Sequence, residues 1–505
     1  MGGAAAVAAV AMVSLAACSA GSSRLTEPPP PVQHRVTHDT RPNIVFVLTD
    51  DLATNLVPYM PHVRALEQAG ASFRNYFVVD SLCCPSRSAI FTGLYPHDDG
   101  VYTNGGKGNN GPEGGYRAYN DHGDAAKSFA VALQRAGYRT GFMGKYLNGY
   151  YPFDKRPPGW DVWDGAGRAY AEYNYDLNQN GTIHHYGHQP QDYLTHVLAG
   201  KASDFVRSSA RLGKPFALEV ATFAPHKPYT PAPEDVGSFP NLTAPRGPAF
   251  DRQPTHATRW LAGLPKLSPT AKRQIDAAFR SRVEAVQSVD RMIGRIEATL
   301  TAEHELKDTY FVFSSDNGYH MGEYRMKPGK QTAFDTDIRV PLVVAGPAVP
   351  PGSAINAMSS SIDLAPTFLN IAGAAPTATQ DGVSLLGLLH GQPAPPGWQQ
   401  AALIEHRGPL TNHFDPDYQR GSSGDPPSYE AMRTAKYLYV EYATGQREYY
   451  DLSRDRYELH NIVGTLSAQR LASLHAGLAA LTDCHDATQC QQAASLRSAH
   501  TAAVR

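Results

Sequence analysis

The chain has 505 residues, 42% of them hydrophobic, and a formal net charge of -2. This length can bury the core of one large domain or of two ordinary ones, and the near balance of charges argues against a nucleic-acid-binding protein. The 44 glycines and 39 prolines favour a fold with many turns and long loops over a helical bundle.

Residues 1–18 form a predicted export signal. Within them, residues 4–17 are an apolar run that is too short to span a membrane and is followed directly by Cys18. A leucine and two alanines precede Cys18, a pattern that resembles a bacterial lipobox and implies a lipidated cysteine as the first mature residue. The usual basic residue before the run is missing, since the first is Arg24. The proline-rich residues 19–40 are then predicted to be a tether.

Apolar runs of strand length alternate with amphipathic segments of helix length over residues 41–391. The predicted strands are residues 43–49, 73–79, 138–143, 215–222, 310–315 and 340–345. The predicted helices are residues 60–69, 125–136, 193–212, a long one that opens at Ser268, and 362–372. Residues 149–191 are aromatic and polar and are predicted to be long loops with a small ribbon. This alternation predicts an α/β domain, a large mixed and mostly parallel sheet flanked by helices.

The pattern changes after residue 391. Short predicted strands at residues 401–405, 435–442 and 446–450 are followed by a predicted helix at 467–481. We therefore expect residues 392–505 to be a smaller α+β subdomain with an antiparallel sheet, behind a catalytic domain at residues 41–391.

Two adjacent cysteines, Cys83 and Cys84, stand at the start of a predicted short helix that Gly93 ends. Backbone N–H groups at a helix N-terminus favour a bound anion, and Arg87 adds a planar donor fork that suits a tetrahedral oxyanion. The alternative interpretation is a pair of buried structural thiols, since free cysteine is among the most buried residue types.

Polar residues stand at the ends of four predicted strands, where open α/β sheets collect their ligands. They are Asp50 and Asp51, Lys145, His226, and Asp316 and Asn317. Each alone is more typical of a cap, a turn or a solvated side chain. Together, the carboxylate and amide oxygens suit a hard cation such as Ca²⁺ or Mg²⁺. Arg87, Lys145, His226 and Lys330 would supply positive charge around an anionic ester.

The stretch from residue 81 to 93 resembles the Cys-x-Pro-Ser-Arg signature of type I sulfatases, a family of the alkaline phosphatase-like superfamily. Pro85 and Arg87 fall in the family's register when they are counted from Cys83. Other segments resemble the family's metal-binding and sulfate-contacting motifs in the same order, namely residues 43–51, Gly144-Lys145, Pro225-His226, residues 315–320 and Gly329-Lys330.

The resemblance implies a formylglycine made from Cys83 by a formylglycine-generating enzyme during maturation. It also implies a bound metal, Ca²⁺ in the first place and Mg²⁺ as the alternative. The implied metal ligands are Asp50, Asp51, Cys83, Asp316 and Asn317. The implied catalytic residues are Cys83, Arg87, Lys145, His226 and Lys330. One hydroxyl of the hydrated aldehyde would attack sulfur with help from the metal and Asp316, and His226 or Lys330 would protonate the leaving alcohol. Loss of a proton from the other hydroxyl would then expel sulfate.

One departure from the family is Leu147, which occupies the position of a histidine that many sulfatases use as the base in the elimination step. The leucine and the double cysteine resemble the N-acetylglucosamine-6-sulfatase branch. The expected substrate is therefore an aryl sulfate or a sulfated sugar, and the eliminating base is left unassigned.

Two other functions fit the same residues. A phosphomonoester or phosphonate hydrolase of the same superfamily would use the same metal, nucleophile and cationic side chains. A catalytically silent surface lipoprotein would only bind sulfated glycans. The expected location is outside the cytoplasm, as a secreted protein or one attached to a membrane only through lipid on Cys18. Cys484 and Cys490 are close enough in sequence to form a disulfide there.

Overall fold

The computed structural model describes residues 1–2, 12, 39–105, 114–410, 412–413, 415–419 and 421–496. The predicted export signal, its Cys18 and most of the tether lie outside these residues. The described residues from 39 onward belong to one compact unit. The predicted domain boundary near residue 391 stays a prediction. Among the described helices, none combines the length and the apolar character needed to cross a membrane.

The described chain forms sixteen strands, listed here in chain order: β1 Asn43–Thr49, β2 Ala71–Phe73, β3 Tyr76–Phe77, β4 Arg139–Lys145, β5 Val162–Ala166, β6 Tyr175–Gln179, β7 Thr182–Tyr186, β8 Phe216–Ala221, β9 Thr309–Ser315, β10 Leu342–Ala345, β11 Ser353–Ile355, β12 Ser359–Ser360, β13 Ala401–His406, β14 Tyr429–Thr434, β15 Tyr437–Tyr442 and β16 Arg447–Asp451.

Its α-helices, in the same order, are α1 Pro61–Ala69, α2 Cys83–Thr92, α3 Pro96–Asp99, α4 Gly115–Asp121, α5 Phe129–Arg135, α6 Leu194–Leu212, α7 Arg259–Ala262, α8 Pro269–Ala302, α9 Asp335–Ile338, α10 Leu364–Ala372, α11 Leu386–Leu389, α12 Ala468–Thr482 and α13 Ala487–Ala494.

A ten-stranded mixed sheet is the centre of the fold, with strand order β11-β2-β10-β9-β1-β8-β4-β5-β6-β7. Strands β9, β1, β8, β4 and β5 run parallel, and β10 and β6 pair antiparallel with the two outer strands of this group. The predicted mixed, mostly parallel sheet is confirmed. The register pairs Leu48 with Ala221 and Thr49 with Ser315, so the carboxyl ends of β1, β8 and β9 meet at one edge.

Both faces of this sheet are covered, which explains the continuous apolar run of β1. Phe46 and Leu48 pack into a core with apolar side chains of α2, α5 and α10, whereas Val45 and Val47 pack on the other face with those of α1, α6 and α8. The apolar stripe of α8 predicted from its period faces the second core, and Ser268 caps this helix by accepting a hydrogen bond from the Ala271 N–H.

The C-terminal part forms an antiparallel sheet of four strands, β13-β14-β15-β16, against which α12 packs. The sequence predicted this antiparallel sheet but missed β14. That strand carries both charged and apolar residues and follows a segment without periodicity, so its pattern was weak. A disulfide joins Cys484, which follows α12, to Cys490 within α13.

One predicted strand is wrong. Residues 73–79 form no single strand, because β2 ends at Phe73 and joins the large sheet, while β3 begins at Tyr76 and pairs with β12 in a separate small sheet. The chain bends between them to deliver residues 80–83 to the start of α2. The small ribbon expected within residues 149–191 is the β6–β7 hairpin, which extends the large sheet.

Gly144 makes a close backbone approach that places Lys145 at the end of β4. Its φ is +103°, and a Cβ at this position would lie 1.9 Å from the Ala221 carbonyl oxygen. Gly181, in the β6–β7 hairpin, has a similar φ of +97° but meets nothing within 4 Å in the described part of the chain. Comparing a substitution at Gly144 with one at Gly181 therefore distinguishes the cost of backbone strain from the cost of a steric clash.

We expect Gly144→Ala to lower the free energy of unfolding by about 3 kcal/mol or more, because strain and overpacking add. Gly181→Ala should cost only about 1 kcal/mol, since it adds strain alone. Urea unfolding followed by circular dichroism measures both. Equal losses for the two variants would contradict the role assigned to the β4–β8 contact.

Candidate active site

The strand ends bring the predicted site residues together at one edge of the large sheet. Asp50 and Asp51 follow β1, Asp316 and Asn317 follow β9, and Lys145 is the last residue of β4. His226 follows β8 at a distance of five residues, and Cys83 opens α2 beside them. These seven side chains and those of Arg87 and Lys330 are all buried.

Asp50, Asp51, Asp316 and Asn317 form a cluster of oxygen atoms. The Asp51 N–H donates to Asp316 Oδ1 over 3.1 Å, and Asn317 Nδ2 donates to Asp51 Oδ1 over 2.7 Å. Asp51 has a φ of 62°, which turns the chain sharply after Asp50. Burial and the nearby charge of Asp316 raise the pKa of Asp50, so the cluster needs positive charge to stay ionised.

The donor set fits a hard divalent cation. Asn317 Oδ1 is buried and has no hydrogen-bond partner among the described residues, although its amide nitrogen is fully used. Ligand atoms of Asp50, Asp51, Cys83 and His226 lie within 4.8 Å of one another. Carboxylate and amide oxygens are the ligands that Ca²⁺ and Mg²⁺ prefer, so the residues present can hold such an ion.

Cys83 sits at the first position of α2 and points into this cluster. Its Sγ lies 3.1 Å from Asp50 Oδ1 and 2.8 Å from Lys330 Nζ. Burial and the charges of Asp316, Asp417 and Asp50 raise the pKa of the Cys83 thiol well above its usual value. An unmodified thiol here is therefore held neutral and is a poor nucleophile.

Cys84 is buried as well, but it is part of the apolar core behind α2. Its backbone N–H donates to Asn104 Oδ1 over 2.8 Å. Successive helix positions point about 100° apart, which is why one thiol faces the polar cluster and its neighbour faces the core.

Arg87 lies one turn after Cys83 and holds two parts of the site in place. Its Nε donates to Asp316 Oδ2 and its Nη1 to the Lys145 carbonyl, both over 2.7 Å. Arg87 Nη2 is buried and has no partner within the described chain. Burial alone would raise the pKa of Asp316, but the charges of Arg87, Lys145 and Lys330 outweigh it and lower the pKa.

Two lysines contact the carboxylates of the cluster. Lys145 Nζ lies 2.5 Å from Asp50 Oδ2, and Lys330 Nζ lies 2.6 Å from Asp51 Oδ1. The pKa of each lysine is held well above its usual value, since the neighbouring anions outweigh the cost of burial. Both side chains are therefore charged.

Asp417 is a member of the site that the sequence analysis missed. Its carboxylate lies 2.7 Å from His226 Nε2 and 2.9 Å from Lys330 Nζ, and Asn104 also donates to it. Burial alone would lower the pKa of His226, but the charges of Asp51, Asp50 and Asp417 outweigh it and raise the pKa. Asp417 lies in an irregular stretch without strand or helix pattern, so no periodicity marked it; an aspartate repeated at positions 415 and 417 was the only available signal.

Two cavities open beside this cluster. One, of about 200 Å³, is lined by Lys145, Leu147 and Tyr170 among others, and the second, of about 380 Å³, is lined by Asp51, His226 and Asp417 among others. Leu147 thus lines the same cavity as Lys145, but it carries no group that can accept a proton.

Comparison with known families identifies two matching family models. The model described as "Sulfatase" matches residues 42–374, and the model described as "N-sulphoglucosamine sulphohydrolase, C-terminal" matches residues 322–483. Together they cover the described chain from β1 to the disulfide.

Curated relatives carry sulfatase names. The N-acetylglucosamine-6-sulfatase of Homo sapiens is 33% identical over 480 residues, which are 89% of this chain and 86% of the human protein. An extracellular sulfatase SULF-1 homolog of Drosophila melanogaster is 35% identical over 379 residues, 73% of this chain. The match spans only 33% of the fly protein's length.

Solved structures share the fold. A protein solved in complex with its substrate, D-glucosamine-2-N,6-O-disulfate, has a TM-score of 0.72 and 24% identity, covering 90% of this chain and 98% of that one. The phosphonate monoester hydrolase of Agrobacterium radiobacter has a TM-score of 0.65 and 23% identity, covering 86% and 96%. These similarities place the chain in the alkaline phosphatase-like fold.

Divalent cation binding to the oxygen cluster should stabilise the fold. After chelation, returning the cation at 100 times its dissociation constant should raise the free energy of unfolding by about 2.7 kcal/mol. Asp51→Asn should remove most of this gain because it removes a charged ligand. The matched control is Glu448→Gln, a buried carboxyl on β16 whose hydrogen-bond partners, Thr258 and Tyr442, lie outside the cluster. Thermal unfolding with and without cation measures the gain, and an undiminished gain in Asp51→Asn would contradict the assignment.

Proposed function

Because this chain belongs to the sulfatase family and is a sulfuric ester hydrolase, we propose that it uses a formylglycine made from Cys83 as its nucleophile and a bound divalent metal. The observation that carries this proposal is the place of Cys83, at the N-terminus of α2 and within 3.1 Å of both Asp50 and Lys330. A hydrated formylglycine supplies two hydroxyls on one carbon, so that attack on sulfur and release of sulfate become two separate steps.

The metal is proposed to be Ca²⁺, held by the oxygens of Asp50, Asp51, Asp316 and Asn317. The unpartnered Asn317 Oδ1 and the three clustered carboxylates support this ligand set. A bound cation supplies Lewis acidity, which polarises an ester oxygen and favours the ionised form of a nearby hydroxyl.

His226 is proposed to be the acid that protonates the leaving alcohol. Its imidazole is buried, its charge is balanced by Asp417, and it faces the second cavity. Lys145 and Lys330 bind sulfate oxygens and stabilise negative charge as it grows there. Arg87 positions Asp316 and the end of β4, because its Nε and Nη1 donate to Asp316 and the Lys145 carbonyl.

The substrate is proposed to be a sulfated sugar or an aryl sulfate. Relatives named N-acetylglucosamine-6-sulfatase and a fold neighbour solved with a disulfated glucosamine support the sugar. The cavity beside Lys145 also carries aromatic and polar side chains that suit a sugar ring: Tyr116, Asn148, Tyr151, Tyr170 and Asp415.

Export is part of the proposal. A relative named extracellular sulfatase and the predicted signal in residues 1–18 support it, as does the disulfide between Cys484 and Cys490. We further propose that Cys18 carries the lipid anchor and that a formylglycine-generating enzyme of the host acts on Cys83.

The nucleophile is tested by comparing Cys83→Ala with Cys84→Ala. Mass spectrometry of the peptide across both cysteines should show the mass change of thiol to aldehyde at Cys83 alone. Cys83→Ala should abolish hydrolysis of an aryl sulfate, whereas Cys84→Ala should keep it and lose only stability. An unmodified Cys83 in active protein from the native host would overturn the proposal.

The type of ester is tested with matched leaving groups. We expect the same aryl alcohol to be released faster from its sulfate than from its phosphate or phosphonate. A preference for phosphate or phosphonate would favour the activity of the fold neighbour from Agrobacterium radiobacter.

Asp417→Asn should lower kcat for alkyl sulfates by about 10²-fold or more, because a misaligned or uncharged His226 cannot protonate a poor leaving group. Aryl sulfates, whose leaving groups need less protonation, should lose much less. Removing an anion beside His226 lowers its pKa, so the alkaline limb of the pH–rate profile should move to lower pH. Steady-state kinetics over a series of leaving groups measures both effects, and an equal loss for all esters would indicate a purely structural role.

A further inference from the structure

A buried arginine of α8 lies behind the oxygen cluster and has no role in the mechanism proposed above. Arg282 is 1% exposed and stands on the face of α8 that packs against the sheet, three residues after Phe279 and four before Val286. Burying a guanidinium costs free energy unless its surroundings replace the lost water. A charge is therefore kept at this apolar position only because its contacts compensate for that cost.

The guanidinium of Arg282 donates to backbone carbonyls of two loops that carry site residues. Its Nη2 lies 2.5 Å from the Asp51 carbonyl oxygen, on the loop after β1. Its Nη1 makes a longer contact of 3.4 Å with the carbonyl oxygen of Pro225, the residue before His226 on the loop after β8. Arg282 therefore joins the backbone of a proposed metal ligand to the backbone beside the proposed acid.

Two tyrosine rings lie against the same guanidinium. Arg282 Cζ is 4.2 Å from the ring centroid of Tyr319 and 5.6 Å from that of Tyr229, distances at which an aromatic ring attracts a cation. The two hydroxyl oxygens lie 2.7 Å apart, so one donates to the other. Tyr319 belongs to the loop after β9, two residues beyond Asn317. The Tyr229 N–H donates to the His226 carbonyl. Arg282 thus contacts the three loops that carry Asp51, Asn317 and His226.

Asp51 is the site residue that depends most on these contacts. Its φ of 62° is uncommon for a residue other than glycine and persists only where the surroundings hold it. Its N–H donates to Asp316 Oδ1 and its carbonyl accepts from Arg282, so both polar groups of its backbone are bound. This backbone conformation directs the Asp51 carboxylate to Asn317 and Lys330.

We propose that Arg282 is a positioning residue of the metal site, whose planar fork fixes the turn at Asp51 and so sets where the Asp51 carboxylate meets a divalent cation. The inference rests on the proposed function, since it requires the oxygen cluster to bind such a cation. Arginine suits this role because its donors lie in one plane and can reach carbonyls of two loops at once.

The direction of the change in cation affinity distinguishes positioning from charge. A guanidinium beside a metal ligand repels a divalent cation, so removing its charge would by itself strengthen cation binding. Removing its bond to the Asp51 carbonyl frees the turn and weakens cation binding instead. Arg282→Met, which removes both charge and donors, should therefore raise the dissociation constant for Ca²⁺ by about 10- to 100-fold, as expected for loss of a group that orients a metal ligand.

Calorimetric titration with Ca²⁺ of the full-length protein, freed of metal by chelation, measures this dissociation constant. Arg282→Lys keeps the charge but replaces the planar fork by a single ammonium group, so it should not restore Ca²⁺ binding. The matched control is Arg280→Met. Arg280 lies on the same helix and donates to the Leu242 carbonyl over 2.9 Å, away from the three loops. This control should bind Ca²⁺ like the unaltered protein.

An unchanged or smaller dissociation constant in Arg282→Met, or full restoration of binding by Arg282→Lys, would overturn the positioning role. Lower thermal stability without a change in the dissociation constant would overturn it too, because that is the result of a purely structural contact. If far-ultraviolet circular dichroism shows that Arg282→Met does not fold, Arg282→Lys decides, since it keeps the buried charge. Absence of Ca²⁺ binding by the unaltered protein would overturn the proposed metal as well, so the two failures are distinguishable.

Discussion

The site depends on the balance of buried charge at the carboxyl edge of the sheet. The carboxylates of Asp50, Asp51, Asp316 and Asp417 are matched by the cationic groups of Arg87, Lys145, His226 and Lys330, all of them buried. Burying any one of these charges alone would cost several kcal/mol, so no member is independent of the rest. A divalent metal added to this balanced set leaves the edge net positive, which is the state that attracts an anionic ester.

This balance also explains why the lysines bind carboxylates and are suited to bind sulfate. Lys145 and Lys330 now neutralise Asp50 and Asp51, the same residues that would hold the metal. A bound metal would take over that neutralisation, and the ammonium groups would then be available to a substrate while staying charged. Metal loading would in this way raise the affinity for an anionic substrate through Coulombic attraction.

Whether a residue of the site could be predicted from the sequence depends on the kind of segment in which it lies. Asp50, Lys145 and Asp316 follow continuous apolar strands, and parallel strands bring such residues to one edge, so their meeting was predictable. Asp417 reaches the site from an irregular stretch whose path depends on long-range packing, and no local pattern predicts such a path. The split of residues 73–79 into β2 and β3 has the same origin, since β3 pairs with β12 from a segment almost 300 residues later.

The position of the nucleophile is fixed by α2, because all ten residues of this helix are buried. The polar side chains of a buried helix must find hydrogen-bond partners within the protein, and in α2 each of these hydrogen bonds holds the helix in place. Ser86 bonds the Asp316 carbonyl, which ties the helix start to the end of β9. Ser88 donates to Asp99 over 2.6 Å, which ties the middle of α2 to α3. Gly93 ends the helix in the left-handed region with a φ of 75°, where the chain turns toward α3. Cys83 therefore stands on a helix whose start is tied to the end of β9 and whose middle is tied to α3, and these ties limit the motion of the residue from which the nucleophile is made.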